Sequence, residues 1–403
     1  MKKTICLLTA EYPYGKSESF IENEIEVLQT KFEKVLIMPH TSQRSEKRAL
    51  PTNAEQHDLI NHRADMNTRK LLVSNLFFIV WVLLIELWHC PRSWYFLKNI
   101  RYFNSLLIRA IYDSEKIKEL IKQTGEGIIF HSYWMNDWAL ALAVLKRKGE
   151  IPKFVFRCGG FDIFDERHKG NFVPFRHFVY SQTAAVYPNS QYGEHYIKTK
   201  NCFPEKVKLQ YLGTKNYGIN QFDNNAVFTI VSCSNVIPLK RVDMIIEILK
   251  HIKFEVKWVH FGDGKSMQDI IEKSLHLPAN ICCELKGRVT NKAIIEYYQT
   301  HPVHLFIMTS ETESLPVSIQ EAISFGIPVM ATSVGGVGEI VTEQTGMLID
   351  ANIDAAYAAE MITEFKLSDK NTSAFRKGVR LFWEKHFDVE KSIAHFYDDL
   401  IRK

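Results

Sequence analysis

No two cysteines in this 403-residue chain stand in a Cys-x-x-Cys pair, which removes the commonest zinc and redox motifs. There are seven cysteines, with Cys282 and Cys283 adjacent. An odd count without framework spacing is the pattern of reduced, intracellular thiols. Charge of one sign is also scarce. A net charge of +4 is too small for a dedicated nucleic-acid binder, although it permits a modest basic patch toward anionic lipid. Gly-x-Gly-x-x-Gly is absent after the first apolar run, near Thr9, which weighs against a nicotinamide-dependent dehydrogenase. No Asp-x-Asp pair closes an apolar run, so there is no ready carboxylate clamp for a divalent metal. The opening run Ile5–Ala10 stops at Glu11, short of the roughly 7–15 apolar residues of a secretory leader. The longest apolar stretch, Leu71–Ile85, ends after fifteen residues at Glu86, whereas a membrane span needs about 20. Internal repeats and low-complexity tracts are missing as well.

What is present has the composition of a folded protein, 46% hydrophobic and 24% charged. At this length two domains are expected. Short apolar runs recur, each followed by a turn and a helical stretch. In the first half they are 4–9, 34–39, 127–131, 154–157 and 185–187. In the second half they are 228–233, 257–261, 281–285, 304–308, 329–331 and 347–349. Strands alternating with helices predict parallel sheets covered on both faces. The polar stretch Lys215–Asn225 separates the two series and reads as a linker. The expected architecture is α/β, with doubly wound, Rossmann-like sheets in 1–218 and 226–372 facing across a cleft. A helical segment, 373–403, is expected to pack back on the first domain. In such sheets ligands bind beyond the carboxyl ends of strands.

The most informative segment is 304–321. An apolar strand runs into a polar loop carrying Glu313, and Pro316 opens a helix carrying Glu321. The amides of Ser314, Leu315 and Val317, around Pro316, lie where a helix N-terminus offers an anion site. A carboxylate at Glu313 can accept bonds from sugar hydroxyls, and one at Glu321 from a ribose diol. Ser318 and Glu321 also have capping-box spacing, the plain alternative for Glu321. Upstream, Lys240 follows a strand and Pro238 and opens a helix. A cation there can neutralise a diphosphate without a metal; a solvated surface lysine is the alternative.

These pieces come in a set order: Lys240, Arg241 and Asp243, the turn His260–Gly264, then Gly287, Arg288 and Val289, the two-glutamate segment, and Gly335–Gly338 before Glu339. Over 228–350 the ordered set resembles the nucleotide-binding half of GT-B, family 4 retaining glycosyltransferases of the bacterial surface and capsular polysaccharide type. The resemblance implies transfer of a hexosyl group from a nucleotide diphosphate sugar to a hydroxyl of a glycan or lipid-linked oligosaccharide, with retained configuration. It implies no cofactor and no metal, the leaving phosphate itself taking the acceptor proton. It implies catalytic roles for Lys240 and Glu313. The implied donor contacts are Lys240, Arg241, Arg288, Val289, Glu313, Ser314, Leu315, Pro316, Val317, Glu321 and Gly15. Two positions depart from the pattern: Asn235 stands where many members carry Arg, and Gly159 where relatives often place His. Arg241, or Lys240 alone, would have to compensate for the first. A catalytically inactive scaffold and an epimerase on the same fold remain the alternatives. For Arg288 and for Gly335–Gly338, ordinary turn roles remain open.

The first half is less specific. Gly15 and Glu18, after the first strand, resemble the acceptor-side loop of the same family, with a helix cap at Ser17 as the alternative. His131 ends a strand, where it can serve as a proton acceptor or hydroxyl anchor, although a lone histidine is more often structural. Trp134 beside it can stack on a sugar face. Arg157 and Asp162 match the family pattern for orienting an acceptor, or else pair with each other. The expected acceptor set is thus Glu18, Arg157, Asp162 and Trp134. Within 71–103, Trp81, Trp88 and Trp94 fall among Arg69, Lys70, Arg92, Lys98 and Arg101. Aromatics with cations favour an interfacial helix; a buried core helix is the alternative. The flanking strands belong to one sheet, so a single crossing would split the domain. The expectation is a cytoplasmic protein in peripheral contact with the inner face of the membrane, and no nucleic-acid partner.

Overall fold

The computed structural model of the protein describes residues 3–15, 18, 20–41, 47–57, 63, 66–125, 127–200 and 202–402. The chain divides into two compact units, Met1–Tyr211 with Ile393–Lys403, and Leu212–Ser392. Each contains one six-stranded parallel sheet.

The first sheet comprises β1 (Thr4–Thr9), β2 (Lys34–Pro39), β3 (Ala54–Gln56), β4 (Ile129–Ser132), β5 (Phe154–Cys158) and β6 (Ala185–Pro188). Their order is β3-β2-β1-β4-β5-β6. Ile5 of β1 pairs with Val35 on one side and Ile129 on the other. From Ile5 to Thr9 every residue of β1 is buried, as expected of a parallel strand covered on both faces. The short β3 was not anticipated. It is a polar edge strand, Ala54-Glu55-Gln56, with no apolar run to announce it.

The second sheet comprises β7 (Phe228–Cys233), β8 (Val256–Phe261), β9 (Ile281–Leu285), β10 (Leu305–Met308), β11 (Val329–Thr332) and β12 (Gly346–Ile349), in the order β12-β11-β10-β7-β8-β9. Both sheets thus have the same winding, and strand order reverses between β1 and β4 and again between β7 and β10. At such a switch point the connections leave in opposite directions and open a crevice at the carboxyl ends.

The segment expected to be a linker is part of the second unit. Asn220 is buried there. Its amide nitrogen donates to the carbonyls of Tyr298 (2.6 Å) and His301 (2.8 Å), and its oxygen accepts from Val303 N (3.0 Å) and Arg376 Nη2 (2.9 Å). A polar segment looks like a tether in sequence, but this one is polar because its amide closes the second unit's own backbone. The final helical segment is likewise two helices. Ser373–His386 belongs to the second unit, where Trp383 Nε1 donates to Thr214 Oγ1 at 2.7 Å. Val389–Arg402 enters the first unit from Ile393, where Asp398 pairs with Lys31 at 2.7 Å. Packing back on the first domain therefore holds for the last ten described residues only.

Candidate functional site

The loops that leave β7 and β10 converge at the switch point of the second unit. Thr309 Oγ1 donates to Arg241 O (2.8 Å) and Glu311 N to Leu239 O (2.9 Å), stitching the two loops together. A 3-10 turn at Pro238–Lys240 then presents the Lys240 ammonium, which pairs with Glu313 Oε1. The same carboxylate oxygen accepts from Ser310 Oγ at 2.7 Å. Both partners are largely but not wholly covered, with side-chain exposures of 21% and 11%, so an incoming ligand can still displace one from the other. Ser314, Leu315 and Pro316 are buried behind Glu313. Pro316 is in extended backbone and the helix runs Val317–Ser324. Its first internal backbone bond is Gln320 N to Pro316 O (3.4 Å), which leaves the earlier first-turn amides outside the helical ladder.

That boundary removes the capping-box alternative, because Ser318 lies inside the helix rather than at its cap. Glu321 is buried instead, and accepts from Asn291 Nδ2 at 2.6 Å. Burial lifts its carboxyl to about 7, the Asn291 bond opposing the rise. Cys233, at the end of β7, feels both Glu321 and Lys240; burial first, then Glu321, push its thiol to about 12 while Lys240 acts against them. Lys240, Glu313 and Glu321 thus gather around one strand end.

Two glycines allow the loops to approach. At Gly335, with φ at +54°, a Cβ would sit 1.8 Å from the Glu313 carbonyl oxygen. The glycine-rich turn therefore packs directly on the backbone that carries Glu313. At Gly262 a Cβ would lie 1.8 Å from Ser234 O, beneath the loop that leads to Lys240.

Arg241 follows directly on Lys240. It adopts left-handed backbone, and its Nη1 donates to Ala351 O. That bond ties its guanidinium to the loop after β12, and the residue stays half-buried. Arg288 is exposed and Val289 half-buried in the loop after β9, at the sheet's edge. Gly262 N donates to Gly287 O (2.9 Å), joining this loop to the one after β8.

In the first unit the expected acceptor residues turn mostly inward. Glu18 is buried, its carboxylate accepting from the amides of Ala10 (3.1 Å), Glu11 (2.6 Å) and Tyr12 (2.7 Å) and from Trp134 Nε1 (2.5 Å). Four donors occupy it fully, so it organises the loop after β1 and leaves nothing for an acceptor. Gly15 is in that loop and its carbonyl accepts from Arg48 Nη2 at 2.8 Å; Ser17 lies outside the described residues. Trp134 remains half-buried. Arg157 is buried and pairs with Glu24, with Tyr133 OH bonded to the same carboxylate at 2.7 Å. It neither faces an acceptor nor pairs with Asp162. Asp162 accepts from Met135 N (3.3 Å), and burial raises its carboxyl to about 7.

His131 is wholly buried among Tyr133, Phe396 and Tyr397. Burial, then the Arg157 charge, hold it neutral well below the usual imidazole range. A ring sealed by the final helix does not meet a substrate, so its expected catalytic role is withdrawn in favour of packing. Gly159 abuts the edge of the Trp134 ring, 3.1 Å from where a Cβ would sit.

Among the described residues, one group of histidine and acidic side chains could share a metal: His40, Asp113 and Asp137. Arg63 already stands among them, with Nη2 2.5 Å from Asp113 Oδ2, 3.2 Å from His40 Nε2 and 3.4 Å from Asp137 Oδ2. A guanidinium supplies the positive charge there, so the cluster does not fit an ion.

Residues 220–381 match the family described as Glycosyl transferases group 1. The match covers less than half of the chain, and this part is similar to the glycosyltransferase group 1 domains. It contains Lys240, Glu313, Glu321 and Gly335, the geometry described above. Related chains include the TuaC protein of Bacillus subtilis, assigned to teichuronic acid biosynthesis as a glycosyltransferase, 23% identical over 59% of this chain and 61% of its own. Another is the N-acetyl-alpha-D-glucosaminyl L-malate synthase of Bacillus anthracis, 26% identical over 47% of this chain and 49% of its own. The match spans less than two thirds of either relative's length. Among solved structures, Anabaena Alr3699/HepE in complex with UDP superposes with a TM-score of 0.68 at 15% identity, covering 100% of both chains. Sucrose-phosphate synthase from Thermosynechococcus elongatus does so with 0.73 at 13% identity, over 100% of this chain and 98% of that one. The fold of the chain is therefore that of GT-B structures.

Sequence reasoning missed Ser310 and Asn291, the partners of the two glutamates. Ser310 lies in the same loop as Glu313, after the apolar strand, so it was findable. Asn291 sits at a helix start with no local sign of its target.

Proposed function

We propose that the protein is a retaining family 4 hexosyltransferase. It moves a sugar from a nucleotide diphosphate donor to a hydroxyl of a glycan or lipid-linked acceptor, without a metal, in surface or capsular polysaccharide assembly on the cytoplasmic side of the membrane. The observation that carries this reading is Lys240 held against Glu313 at the switch point, beside the first-turn amides that follow Pro316. A diphosphate arriving there takes Lys240 from Glu313. The ammonium and the helix N-terminus then stabilise the leaving anion, and the freed carboxylate accepts bonds from the sugar hydroxyls. The bond from the anomeric carbon to the phosphate oxygen breaks, and the acceptor oxygen bonds on the same face. The acceptor proton passes to the leaving phosphate oxygen, since buried His131 has no part in the step. Glu321 receives the ribose hydroxyls. The biosynthetic assignment of TuaC supports a surface polymer as the product. The UDP complex of HepE makes UDP-sugars the first donors to try.

The test is a thermal-shift comparison of UDP-, GDP- and ADP-sugars, followed by assay of free nucleoside diphosphate with and without glycan acceptors. Stabilisation by one nucleotide class, with acceptor-dependent release, is expected. An epimerase would alter the sugar with no acceptor present. A second reading, an inactive scaffold, draws on Asn235 and on the bond that holds Arg241 to Ala351 O, which leave Lys240 as the cation paired with Glu313. A scaffold would neither be stabilised nor release product.

A further inference from the structure

The helix Leu76–His89 is apolar nearly all round, which suits an element with apolar surroundings on every side. Its inward face is Ile79, Val82 and Glu86, all buried. Glu86 staples that face to the first unit: its carboxylate accepts from Phe175 N (2.9 Å) and Phe178 N (3.2 Å), at the start of the helix Arg176–Gln182. The outward face is uncovered. Phe77 is 92% exposed and Trp88 85%, with Val80, Trp81 and Leu84 between them. The neighbouring helices Thr68–Ser74, Ser93–Lys98 and Ile100–Thr124 pack around it and add Val73, Trp94, Leu97 and Tyr102 to the exposed set. Ordinary water-facing surfaces seldom carry so much large apolar area in one place.

Charge selects the occupant. From Met66 to Tyr112 the only acidic residue is Glu86, which is buried, while Arg69, Lys70, Arg92, Lys98 and Arg101 are all exposed. Cations around an apolar, tryptophan-bearing face complement anionic headgroups over acyl chains. A second copy of the chain fits less well, because a twofold contact would set these cations against themselves. Length selects the depth. Fourteen residues of helix make about 21 Å, against about 30 Å of hydrocarbon, and the preceding helix bends away by 82°. Among the described residues no single helix is long and apolar enough to cross a membrane.

We propose that residues 68–102 form an interfacial docking surface that seats the first unit on an anionic bilayer. Phe77, Trp88 and Trp94 enter the acyl boundary, and Arg69, Lys70, Lys98 and Arg101 lie at the lipid phosphates. The full chain is to be sedimented with vesicles of phosphatidylcholine alone and with about 30% phosphatidylglycerol added. The protein should pellet with the anionic vesicles and bind the neutral ones at least about tenfold more weakly. Replacing Phe77, Trp88 and Trp94 together by Ser should cost about tenfold or more with an unchanged melting temperature. Should that triple variant misfold, the variant R69E/K70E/K98E/R101E, which alters only exposed ends, should lose more than about a hundredfold. A wild-type chain left in the supernatant, a charge variant that binds as well as the wild type, or a dimer that the Ser variant dissociates would each overturn the proposal. Vesicle binding is read without turnover, so its failure and that of the glycosyl-transfer reading are separate results.

Discussion

The ammonium of Lys240 and the carboxylate of Glu313, 73 residues apart in the chain, are ion-paired at the carboxyl ends of β7 and β10. Each holds the place of a ligand group, the carboxylate for an anion and the ammonium for hydroxyl donors. Removing one should therefore affect binding differently from removing the other. Lys240→Ala should weaken nucleoside diphosphate binding by at least about tenfold in calorimetric titration, a charge-assisted contact being lost. Glu313→Ala should abolish sugar transfer while nucleoside diphosphate still binds. Neither change should cost more than about 2 kcal/mol of stability, because both side chains keep some water contact. Undiminished turnover in Glu313→Ala would reject its role.

Gly335 is a steric requirement of the same site. A methyl group there would collide with the Glu313 carbonyl oxygen, and left-handed backbone disfavours any side chain. Gly335→Ala should lower the melting temperature by several degrees, as a backbone clash of a few kcal/mol does. It should also depress donor affinity. Normal affinity in a destabilised variant would show that the turn supports the fold alone.

The pH response of Glu321 runs in two directions. Its folded carboxyl titrates at about 7 against an ordinary value of 4.5, so the folded state binds the additional proton between those values. The associated stability is complete below the lower value and is lost as pH rises through the upper one. Asp162, at about 7, and Glu86, at about 8, act in the same sense. The ligand-free melting temperature should fall from about pH 5 to about pH 8, less steeply in Glu321→Gln. Nucleotide affinity should rise over the upper part of that range, since only the ionised carboxylate accepts two ribose bonds. Titrations that are flat in the wild type would remove Glu321 from the ribose site.

Arg157 and Glu24 are both about 2% exposed as side chains. Breaking such a pair leaves one charge buried alone, so Glu24→Ala should cost about 3–5 kcal/mol by chemical denaturation. The double replacement Glu24→Leu with Arg157→Leu should recover part of that loss, as no charge is left stranded. Were Arg157 an acceptor contact instead, its loss would lower turnover and leave stability intact.

Local patterns were legible wherever one segment contained its own explanation. The apolar runs at 4–9, 34–39 and 228–233 coincide with β1, β2 and β7, because a strand buried on both faces has to be apolar throughout. Glu313, Pro316 and the following helix were legible for the same reason: strand, loop and helix are consecutive. The failures were residues whose meaning lay elsewhere in the chain. Asn220 looked like linker but bonds to residues about eighty positions on. Arg157 was matched to nearby Asp162, yet its partner is Glu24, 133 positions away. His131 has the look of a reactive histidine in sequence, but Phe396 and Tyr397 of the final helix cover it.

Two series of parallel strands, and a loop carboxylate and a strand-end lysine that suit an activated sugar, were determined by the amino-acid order alone. Hydrophobic period and turn chemistry act over a few residues, and both are written locally. Only the tertiary structure decided which charges are available and which are already satisfied. Glu18 and Glu24 are consumed by partners at home, whereas Lys240 and Glu313 remain within reach of solvent. Sheet order brings distant segments side by side, and burial then makes an unmatched charge too costly to keep.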